Sequence, residues 1–247
     1  FFEHLRYMSY PYFFIDAGSI DDNRIKIGKE ELNHLVNVLR SRIGDTVYVS
    51  DSSSYKYKTE IVDINKYEAV LLIKNKKEIT GKVPAITLFQ CVLKKNSMEF
   101  VIQKSTEIGV DKIVPVVSER VVVDKIKIAG KLERWQKISD QASRQSMRDF
   151  KCRILPPEDI YDIKVSDYDL FYIPYEKCHD SKELAGIGNV SSIGCIIGPE
   201  GGFETGEFKF LKDKRAIEMK FGENIYRSET AAIYFLSVLD YLSRNRE

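Results

Sequence analysis

The alternation of strand-like and helix-like segments beyond Gly81–Pro84 is the feature that most restricts the fold of this chain. Apolar runs predict strands at Ala85–Leu93, Lys112–Val117, Leu170–Ile173, Ser192–Ile197 and Ala216–Phe221. Helical periodicity predicts helices at Asn96–Ile108, with Asn96 as N-cap and Gly109 as terminator, and at Gly130–Arg148, Phe203–Lys214 and Glu229–Ser243. This order favours a largely parallel sheet covered on both faces, which binds ligands at the carboxyl ends of its strands.

Residues 10–80 have a different pattern, with short runs rich in Val, Ile and Tyr between turn residues. These runs predict strands at Tyr12–Asp16, Arg24–Ile27, Thr46–Ser50, Tyr57–Ile64 and Ala69–Lys74. One helix, Glu30–Leu39, interrupts them, because its leucines recur at helical spacing. Several short strands with one helix favour a small β-barrel. We therefore predict two domains, a β domain over residues 9–80 and an α/β domain over residues 83–247.

The composition excludes several classes of protein. With 247 residues, 43% hydrophobic and 30% charged, the chain suits a globular protein of one or two domains. No apolar run reaches the eighteen or so residues that a membrane helix needs, since Asp240 breaks the longest, Ala231–Leu242. Phe1–Met8 is too short for a signal peptide, so we expect a cytoplasmic protein that does not bind a membrane.

The cysteines and the charge distribution bear on ligands. The four cysteines have no CxxC spacing and do not cluster with the three histidines, so no metal site is expected. Residues 83–153 hold 14 basic and 8 acidic side chains, whereas residues 154–247 hold 11 and 17. A basic middle segment is typical of a nucleic-acid-binding face, but a solvated helix face explains it equally well.

The most informative segment is Gly194–Phe203, where an apolar strand runs into a glycine-rich turn before a helix. Glycine permits positive φ and lets a ligand touch the backbone. A tight β–α turn without a ligand is the alternative. Three glycines and one carboxylate at the carboxyl end of a strand nevertheless favour a ligand site. The spacing fits neither a P-loop nor a GxGxxG motif, so neither nucleoside triphosphate nor dinucleotide binding is supported.

A second junction of strand, loop and helix lies at Phe221–Ala231. Ser228 is placed to cap the helix, and Glu229 is favourable in its first turn. Arg227 precedes the helix and lies beside the predicted ligand, although a surface ion pair is the alternative. Two further segments carry polar and basic groups that, taken alone, are typical of solvated faces: Gln103–Val110 with Ser118–Arg120, and Gln141–Arg148.

Together these segments resemble the RsmE family, the small-subunit ribosomal RNA uridine-N3 methyltransferases of the SPOUT superfamily. The resemblance spans nearly the whole chain, and Gly198–Gly202 and Arg227–Ala231 are its most specific matches. It also includes His34–Asp45, which is similar to a family block with a histidine, a Val-Leu-Arg triplet and a Gly-Asp pair.

The resemblance implies an α/β fold with a deep trefoil-knotted SPOUT catalytic domain and a small N-terminal PUA-like β-barrel that helps hold RNA. It implies a homodimer that acts on ribosomal RNA, in the assembled small subunit. It also implies S-adenosyl-L-methionine (SAM) as the cofactor. The residues that would hold SAM are Pro174, Ile197, Gly198, Pro199, Glu200, Gly201, Gly202, Phe221, Gly222, Ile225, Tyr226 and Arg227.

The implied chemistry suggests roles for particular side chains. Uridine N3 must lose its proton as it is methylated, and a cation near the uracil oxygens would stabilise the anion. Arg227 is the candidate for that cation. Glu200 or Glu229 would orient the arginine or accept the proton, and either one would alternatively cap backbone NH groups. The candidate RNA contacts are Arg40, Arg42, Lys94, Lys95, Lys104, Arg120, Arg144 and Arg148.

The chain departs from the family pattern in several places. The family usually has Glu at Arg144, commonly Gly at Met147, Leu at Tyr226 and a serine cap at Glu204. An early arginine is missing from Ser9–Phe13. These departures leave the SAM loops nearly intact and bear mainly on the RNA contacts.

Two other functions stay open from the sequence. One is a different SPOUT activity, such as ribose 2′-O or guanine methylation, which mapping of the modified atom would separate. The other is a non-enzymatic RNA-binding or assembly factor that keeps the fold. The glycines at Gly198, Gly201, Gly202 and Gly222 argue against it, since a simple binder has no need of a cofactor cradle.

Overall fold

The computed structural model describes residues 10–121, 125–175, 178, 184 and 187–244. The chain forms two compact units. The first runs to Gly81 and includes Arg144–Lys151, and the second contains Lys82–Ser143 and the chain from Cys152 onward. Phe1–Met8, where no signal peptide was expected, and the side chain of Lys95, a predicted RNA contact, lie outside the described residues.

The first unit contains a six-stranded sheet. Its strands are β1 (Tyr12–Phe14), β2 (Ile20–Asp21), β3 (Arg24–Ile27), β4 (Thr46–Ser50), β5 (Tyr55–Ile64) and β6 (Ala69–Glu78). They are hydrogen-bonded in the order β1-β4-β5-β6-β3-β2, with β1 parallel to β4 and the other pairs antiparallel. Among the described residues the two ends of this order do not pair, so the sheet is a curled half-barrel.

A short helical segment fills the inside of this sheet. After a 3₁₀ turn at Ala17–Ser19, the chain forms α1 (Lys29–Asn33) and then a π-helical turn at His34–Val38. The backbone NH of Leu39 donates to the carbonyl of His34 at 3.0 Å. Leu35 is fully buried and packs into the core of the half-barrel, so the predicted helix at Glu30–Leu39 is present with a wider second turn.

The second unit alternates strands and helices as predicted. Its strands are β7 (Ala85–Cys91), β8 (Lys112–Val117), β9 (Arg153–Ile154), β10 (Glu158–Asp159), β11 (Leu170–Pro174), β12 (Ser192–Ile197) and β13 (Ile217–Met219). Its helices are α2 (Lys95–Ile108), α3 (Lys125–Ala129), α4 (Leu132–Gln145), α5 (Thr205–Asp213) and α6 (Ser228–Arg244), with 3₁₀ turns at Ile160–Asp162, Val165–Asp167 and Ile187–Asn189.

The sheet of the second unit is parallel throughout. Its order is β10-β8-β7-β12-β11-β13, with β9 beside β8. Consecutive strand residues face opposite layers: Leu88 packs with Met98 and Phe235, whereas Phe89 packs on the other side with Leu211. Both faces are therefore covered, which confirms the predicted α/β architecture. The knot implied by the resemblance stays a prediction.

The structure corrects two helix boundaries. Gly109, with φ of +119°, confirms the predicted end of α2. The N-cap assigned to Asn96 is wrong, because Lys94 occupies that position and caps without a side-chain hydrogen bond. The helix predicted over Gly130–Arg148 ends earlier, since the chain turns at Met147, whose φ is +51°.

No helix in the described part of the chain is long and apolar enough to cross a membrane. The four cysteines are buried. Within the described residues, no three His, Cys, Asp or Glu side chains are close enough together to hold a metal ion. Two of the three histidines, His4 and His179, lie outside that description.

Candidate active site

A cleft of about 520 Å³ opens at the carboxyl ends of β11 and β12. It is lined by the end of β11, the loop after β12, the loop that leads to α6, and one residue of α2. The lining residues are Ser97, Pro174, Ile197, Gly198, Pro199, Glu200, Gly201, Gly202, Phe203, Ile225, Tyr226, Arg227, Ser228, Glu229 and Ala231. The structure therefore brings together every predicted cofactor residue except Phe221 and Gly222.

Phe221 and Gly222 line an adjoining cavity of about 80 Å³. This cavity shares Pro174, Ile225 and Tyr226 with the cleft. Gly222 has φ of +68°, a conformation that other residues adopt only with strain. The two loops singled out in the sequence thus border one continuous region.

The glycine loop, Gly198–Gly202, leaves little room for side chains. A Cβ atom on Gly198 would lie 3.2 Å from the Phe203 ring, and one on Gly201 would lie 3.2 Å from Cδ of Arg120. Gly202 has φ of +72°. Packing and backbone conformation both require glycine here, and the backbone of the loop is left to face the cleft.

A buried chain of hydrogen bonds ties the glycine loop and α6 to β7. The hydroxyl of Ser228 donates to the carbonyl of Gly198 at 2.5 Å and accepts from Nε2 of Gln90 at 3.1 Å. Gln90 Nε2 also donates to the carbonyl of Cys91 at 3.0 Å, while its buried Oε1 has no partner in the described part of the chain. Breaking one of these hydrogen bonds would leave a buried polar group without a partner, which is costly. The hydrogen bonds therefore fix the spacing between the glycine loop and the loop before α6.

Ser228→Ala is expected to lower the free energy of unfolding by about 1–3 kcal/mol, because it removes the donor to Gly198 and one acceptor of Gln90. Denaturant titration measures this loss. Ser243→Ala is the matched control, since that hydroxyl donates to the carbonyl of Asp240 within the same helix. An equal loss in both variants would contradict a special role for Ser228.

The three predicted catalytic residues all line the cleft, in different surroundings. Arg227 is exposed and has no ion-pair partner among the described residues, which disfavours the surface ion pair. Glu200 is exposed and accepts the backbone NH of Lys94 at 3.3 Å, at the positive end of the α2 dipole. Glu229 is half-buried in the first turn of α6.

A fully buried carboxylate, Glu207, joins the start of α5, just after the glycine loop, to the segment after β8. One oxygen accepts the backbone NH of Glu119 and the other accepts the backbone NH of Glu204, both at 2.8 Å. The second bond belongs to a capping box at the start of α5, in which Glu204 is the N-cap. This side chain was not predicted to have a role.

Arg120, a predicted RNA contact, lies against the glycine loop. Its Nε donates to Glu204 at 2.6 Å, and its Nη1 donates to the carbonyl of Gly201. The hydrogen bond and charge of Arg120 hold the pKa of Glu204 below its ordinary value of 4.5. Glu204, which replaces the usual serine of the family, therefore gives Arg120 a carboxylate partner at the cleft.

Glu204→Gln is expected to reduce stability at neutral pH but not at acidic pH. A carboxylate whose pKa is lowered by folding contributes stability above its unfolded pKa, and the contribution is lost as the pH falls through the folded value. Denaturant midpoints of wild type and variant should therefore differ at pH 7 and converge once the pH is well below 4.5. A difference that persists in acid would show that cap geometry, and not charge, is responsible.

The predicted RNA contacts of the second unit are spread out. Lys94 is exposed at the start of α2. Lys104 lies on the same helix, and its ammonium group is bonded to Glu107 at 2.9 Å. Of these three contacts, Lys104 and Arg120 are each paired with a carboxylate, whereas Lys94 is exposed.

In the first unit, Arg40 and Arg42 are exposed after the π-helical turn, and Arg40 has φ of +56°. Burial, followed by the charge of Arg144, lowers the pKa of His34. Nε of Arg148 donates to the carbonyl of Phe150 at 3.1 Å. The RNA contacts predicted for this unit therefore include two exposed arginines, one arginine whose charge acts on His34, and one that is bonded to a backbone carbonyl.

Besides Glu207, sequence reasoning missed two polar residues at the site, Gln90 and Ser97. Gln90 stands within an otherwise apolar strand near its carboxyl end, and this is a signal that would have marked it. Ser97 lies in the first turn of α2 and carries no distinctive pattern.

Comparison with protein families gives two matches along the chain. Residues 81–240 match a family described as the RNA methyltransferase domain. Residues 27–74 match a family described as the RNA methyltransferase PUA domain. The first match covers the second unit from its beginning through most of α6, and the second lies within the half-barrel.

Individual relatives agree with these matches. Ribosomal RNA small subunit methyltransferase E of Bacillus subtilis is 29% identical over 86% of this chain and 88% of its own length. That of Mesomycoplasma hyopneumoniae is 32% identical, covering 83% and 89%. The Neisseria gonorrhoeae enzyme of the same name, solved bound to S-adenosyl methionine, has a TM-score of 0.83 and 26% identity over 94% of this chain and 98% of that one. The chain therefore belongs to the RsmE family of ribosomal RNA small subunit methyltransferases, with a PUA domain followed by an RNA methyltransferase domain.

Proposed function

We propose that the protein transfers the methyl group of SAM to N3 of a uridine in the RNA of the small ribosomal subunit. The observation that carries this proposal is the convergence of the glycine loop and the loop before α6 on one cleft, in a member of the RsmE family. Two similar structures, from Neisseria gonorrhoeae and Legionella pneumophila, were solved with SAM.

The cleft residues fit this cofactor. The volume of the cleft, about 520 Å³, lies in the range that ligand sites have, about 300–1,000 Å³. The polar edges of the adenine and ribose suit backbone groups, which the glycine loop places along the cleft. SAM also carries two positive charges, and the carboxylates of Glu200 and Glu229 supply opposite charge at the same cleft.

Arg227 is the residue that we assign to the substrate. When bound, SAM supplies an electrophilic methyl group, so the chain itself needs only to hold the uridine and manage its proton. As N3 loses its proton, negative charge spreads onto the two uracil oxygens. The exposed guanidinium of Arg227 is placed to stabilise this charge with two parallel NH donors.

Glu229 is the carboxylate that we assign as proton acceptor. The Glu200 side chain is already engaged, because it accepts the backbone NH of Lys94. Glu229 has no hydrogen-bond partner among the described residues, and it lies two positions after Arg227 at the same cleft. Glu200 then has a structural role, because its hydrogen bond to Lys94 joins the glycine loop to the start of α2.

The remaining features of the proposal concern RNA and assembly. Residues 9–80 would hold RNA, and residues 83–247 would carry out the transfer. We also propose a homodimer, which the large exposed apolar side chains beside the cleft and on α6 support: Ile225 is 81% exposed and Tyr241 68% exposed. Light scattering of the purified protein, read as one or two chain masses, tests this point.

Calorimetric titration with SAM, followed by mapping of the methylated base, tests the function. The second step uses small subunits from cells that lack the enzyme. We expect SAM binding and a single new methyl group on N3 of one uridine. A methyl group on a ribose or a guanine would replace the assigned reaction with another SPOUT activity. Absence of SAM binding would leave an RNA-binding protein that keeps the fold.

A further inference from the structure

A second cleft, of about 710 Å³, lies entirely within the first unit. Its described lining contains four lysines, Lys56, Lys58, Lys76 and Lys77, and no acidic side chain. None of these lysines is among the RNA contacts predicted from the sequence. We refer to this feature as the lysine cleft.

The strand register explains why three of the four lysines gather, whereas Lys76, which lies opposite Tyr57, belongs to the other face of the hairpin. β5 and β6 are antiparallel, and Lys56 lies directly opposite Lys77 while Lys58 lies opposite Asn75. Residues opposite each other point to the same face, so Lys56, Lys58 and Lys77 share one side of the hairpin. Like charges placed directly opposite each other destabilise a sheet. The stability of the hairpin therefore does not explain why lysines occupy these positions.

One lysine is neutralised by the chain and the others are not. The ammonium of Lys56 donates to the carbonyl of Met147 at 2.9 Å and to Asp149 at 3.0 Å. Lys76 lies over the Tyr55 ring at 4.8 Å. Lys58 and Lys77 are exposed and have no ion-pair partner among the described residues. The cleft thus presents uncompensated positive charge.

The opposite wall of the lysine cleft is held firmly. Met147 packs against the ring of Tyr48, and the carbonyls that follow it are bonded to the sheet. Tyr12 donates to the carbonyl of Arg148 at 2.6 Å, and Ser50 donates to that of Asp149 at 2.7 Å. A wall fixed before binding reduces the entropy lost when a ligand is held.

We propose that the lysine cleft binds the phosphates of the RNA substrate and thereby holds the RNA on the first unit. The inference rests on the proposed function and extends it to a new site. Lys58 and Lys77 are diagonal neighbours across the strand pair, about 7–8 Å apart at the backbone. Two phosphates of one RNA strand can each pair with one of these lysines, whereas a single free phosphate ion is too small to pair well with both. Phosphate contacts position RNA without reading its sequence.

The test compares two triple variants of the full chain with equal loss of charge. The first is Lys58→Gln with Lys76→Gln and Lys77→Gln. The control is Arg24→Gln with Lys26→Gln and Lys66→Gln, all exposed in the same unit and outside the cleft. Affinity for unmodified small subunits and for polyuridine is measured at several salt concentrations, together with SAM affinity.

We expect the cleft variant to bind both RNA probes at least tenfold more weakly, with a salt slope lower by about one for each lysine removed. SAM affinity stays unchanged, and the control variant binds RNA like the wild type. Polyuridine competes with subunits for the wild type, whereas inorganic phosphate at the same phosphate concentration does not.

Two results would overturn this inference while leaving the proposed function intact. In the first, the cleft variant binds and methylates subunits like the wild type. In the second, the control variant loses as much RNA affinity as the cleft variant. Competition by inorganic phosphate as effective as that by polyuridine would also overturn it, in favour of a small-anion site. A wild type that binds SAM but neither binds nor methylates subunits would overturn the proposed function, and the inference with it.

Discussion

Arg227→Gln is expected to slow methyl transfer by about two to three orders of magnitude, the usual loss when one donor to a developing oxyanion is removed. Its guanidinium is exposed at the cleft, and no described carboxylate neutralises it. Glutamine keeps a donor of similar reach but removes the charge. Single-turnover rates with saturating SAM and subunits measure the effect without contributions from binding.

Two further variants separate the explanations for such a loss. Arg227→Lys keeps the charge but loses the planar pair of donors, so we expect an intermediate rate. Arg134→Gln removes an arginine of α4 that is paired with Glu99 and does not line the cleft, so its rate should match the wild type. If Arg227→Gln lowered only RNA affinity, the arginine would be a binding residue without a part in the reaction.

Gly201→Val is expected to abolish measurable SAM binding while the chain still folds. Its Cβ would already lie 3.2 Å from Cδ of Arg120, and the valine methyl groups extend further. Arg120 would have to move, which breaks its bonds to Glu204 and to the carbonyl of residue 201. The displaced loop and the added methyl groups both change the cleft. Calorimetric titration gives the affinity, and thermal unfolding verifies the fold.

Gly28→Val is the matched control for this substitution. It adds the same side chain at an exposed glycine of the first unit, where a Cβ meets nothing within 4 Å. Wild-type affinity in the control, with none in Gly201→Val, places the cofactor at the glycine loop. Undiminished SAM binding by Gly201→Val would remove the loop from the cofactor site.

The sequence predicted those elements whose signals are local. The strands Lys112–Val117 and Ser192–Ile197 have the predicted bounds, because each is a continuous apolar run that ends in turn residues. Gly109 ends α2 because glycine adopts the left-handed conformation without strain. Asn96 failed as a cap because the helix begins two residues after Leu93, before the residue with the best capping side chain.

Interactions between distant segments were beyond the same reasoning. Arg120 and Glu204 are 84 positions apart, so nothing in the local pattern of either indicated their ion pair. Residues Arg144–Arg148 were predicted as the end of a helix, yet the segment Arg144–Lys151 groups with the first unit. Its hydrogen bonds go to Tyr12, Ser50 and Lys56, none of which is near it in the sequence.

The structure gives physical meaning to one departure from the family pattern. Met147 stands where the family commonly has glycine, and its φ of +51° lies in the region that glycine favours. The thioether side chain offsets that strain by packing against Tyr12, Phe14 and Tyr48. The sequence showed the substitution, but only the fold shows why glycine suits the position and what methionine adds.

The buried carboxylate of Glu207 has a consequence for how the cleft opens. It accepts the backbone NH groups of both Glu119 and Glu204. If the segment after β8 or the start of α5 moved away, one oxygen of this buried carboxylate would lose its hydrogen-bond donor. We therefore expect the two segments to exchange their amide hydrogens through one cooperative opening, with a single opening free energy. A cofactor that immobilises the glycine loop would accordingly slow hydrogen exchange at Glu119, a residue that does not line the cleft.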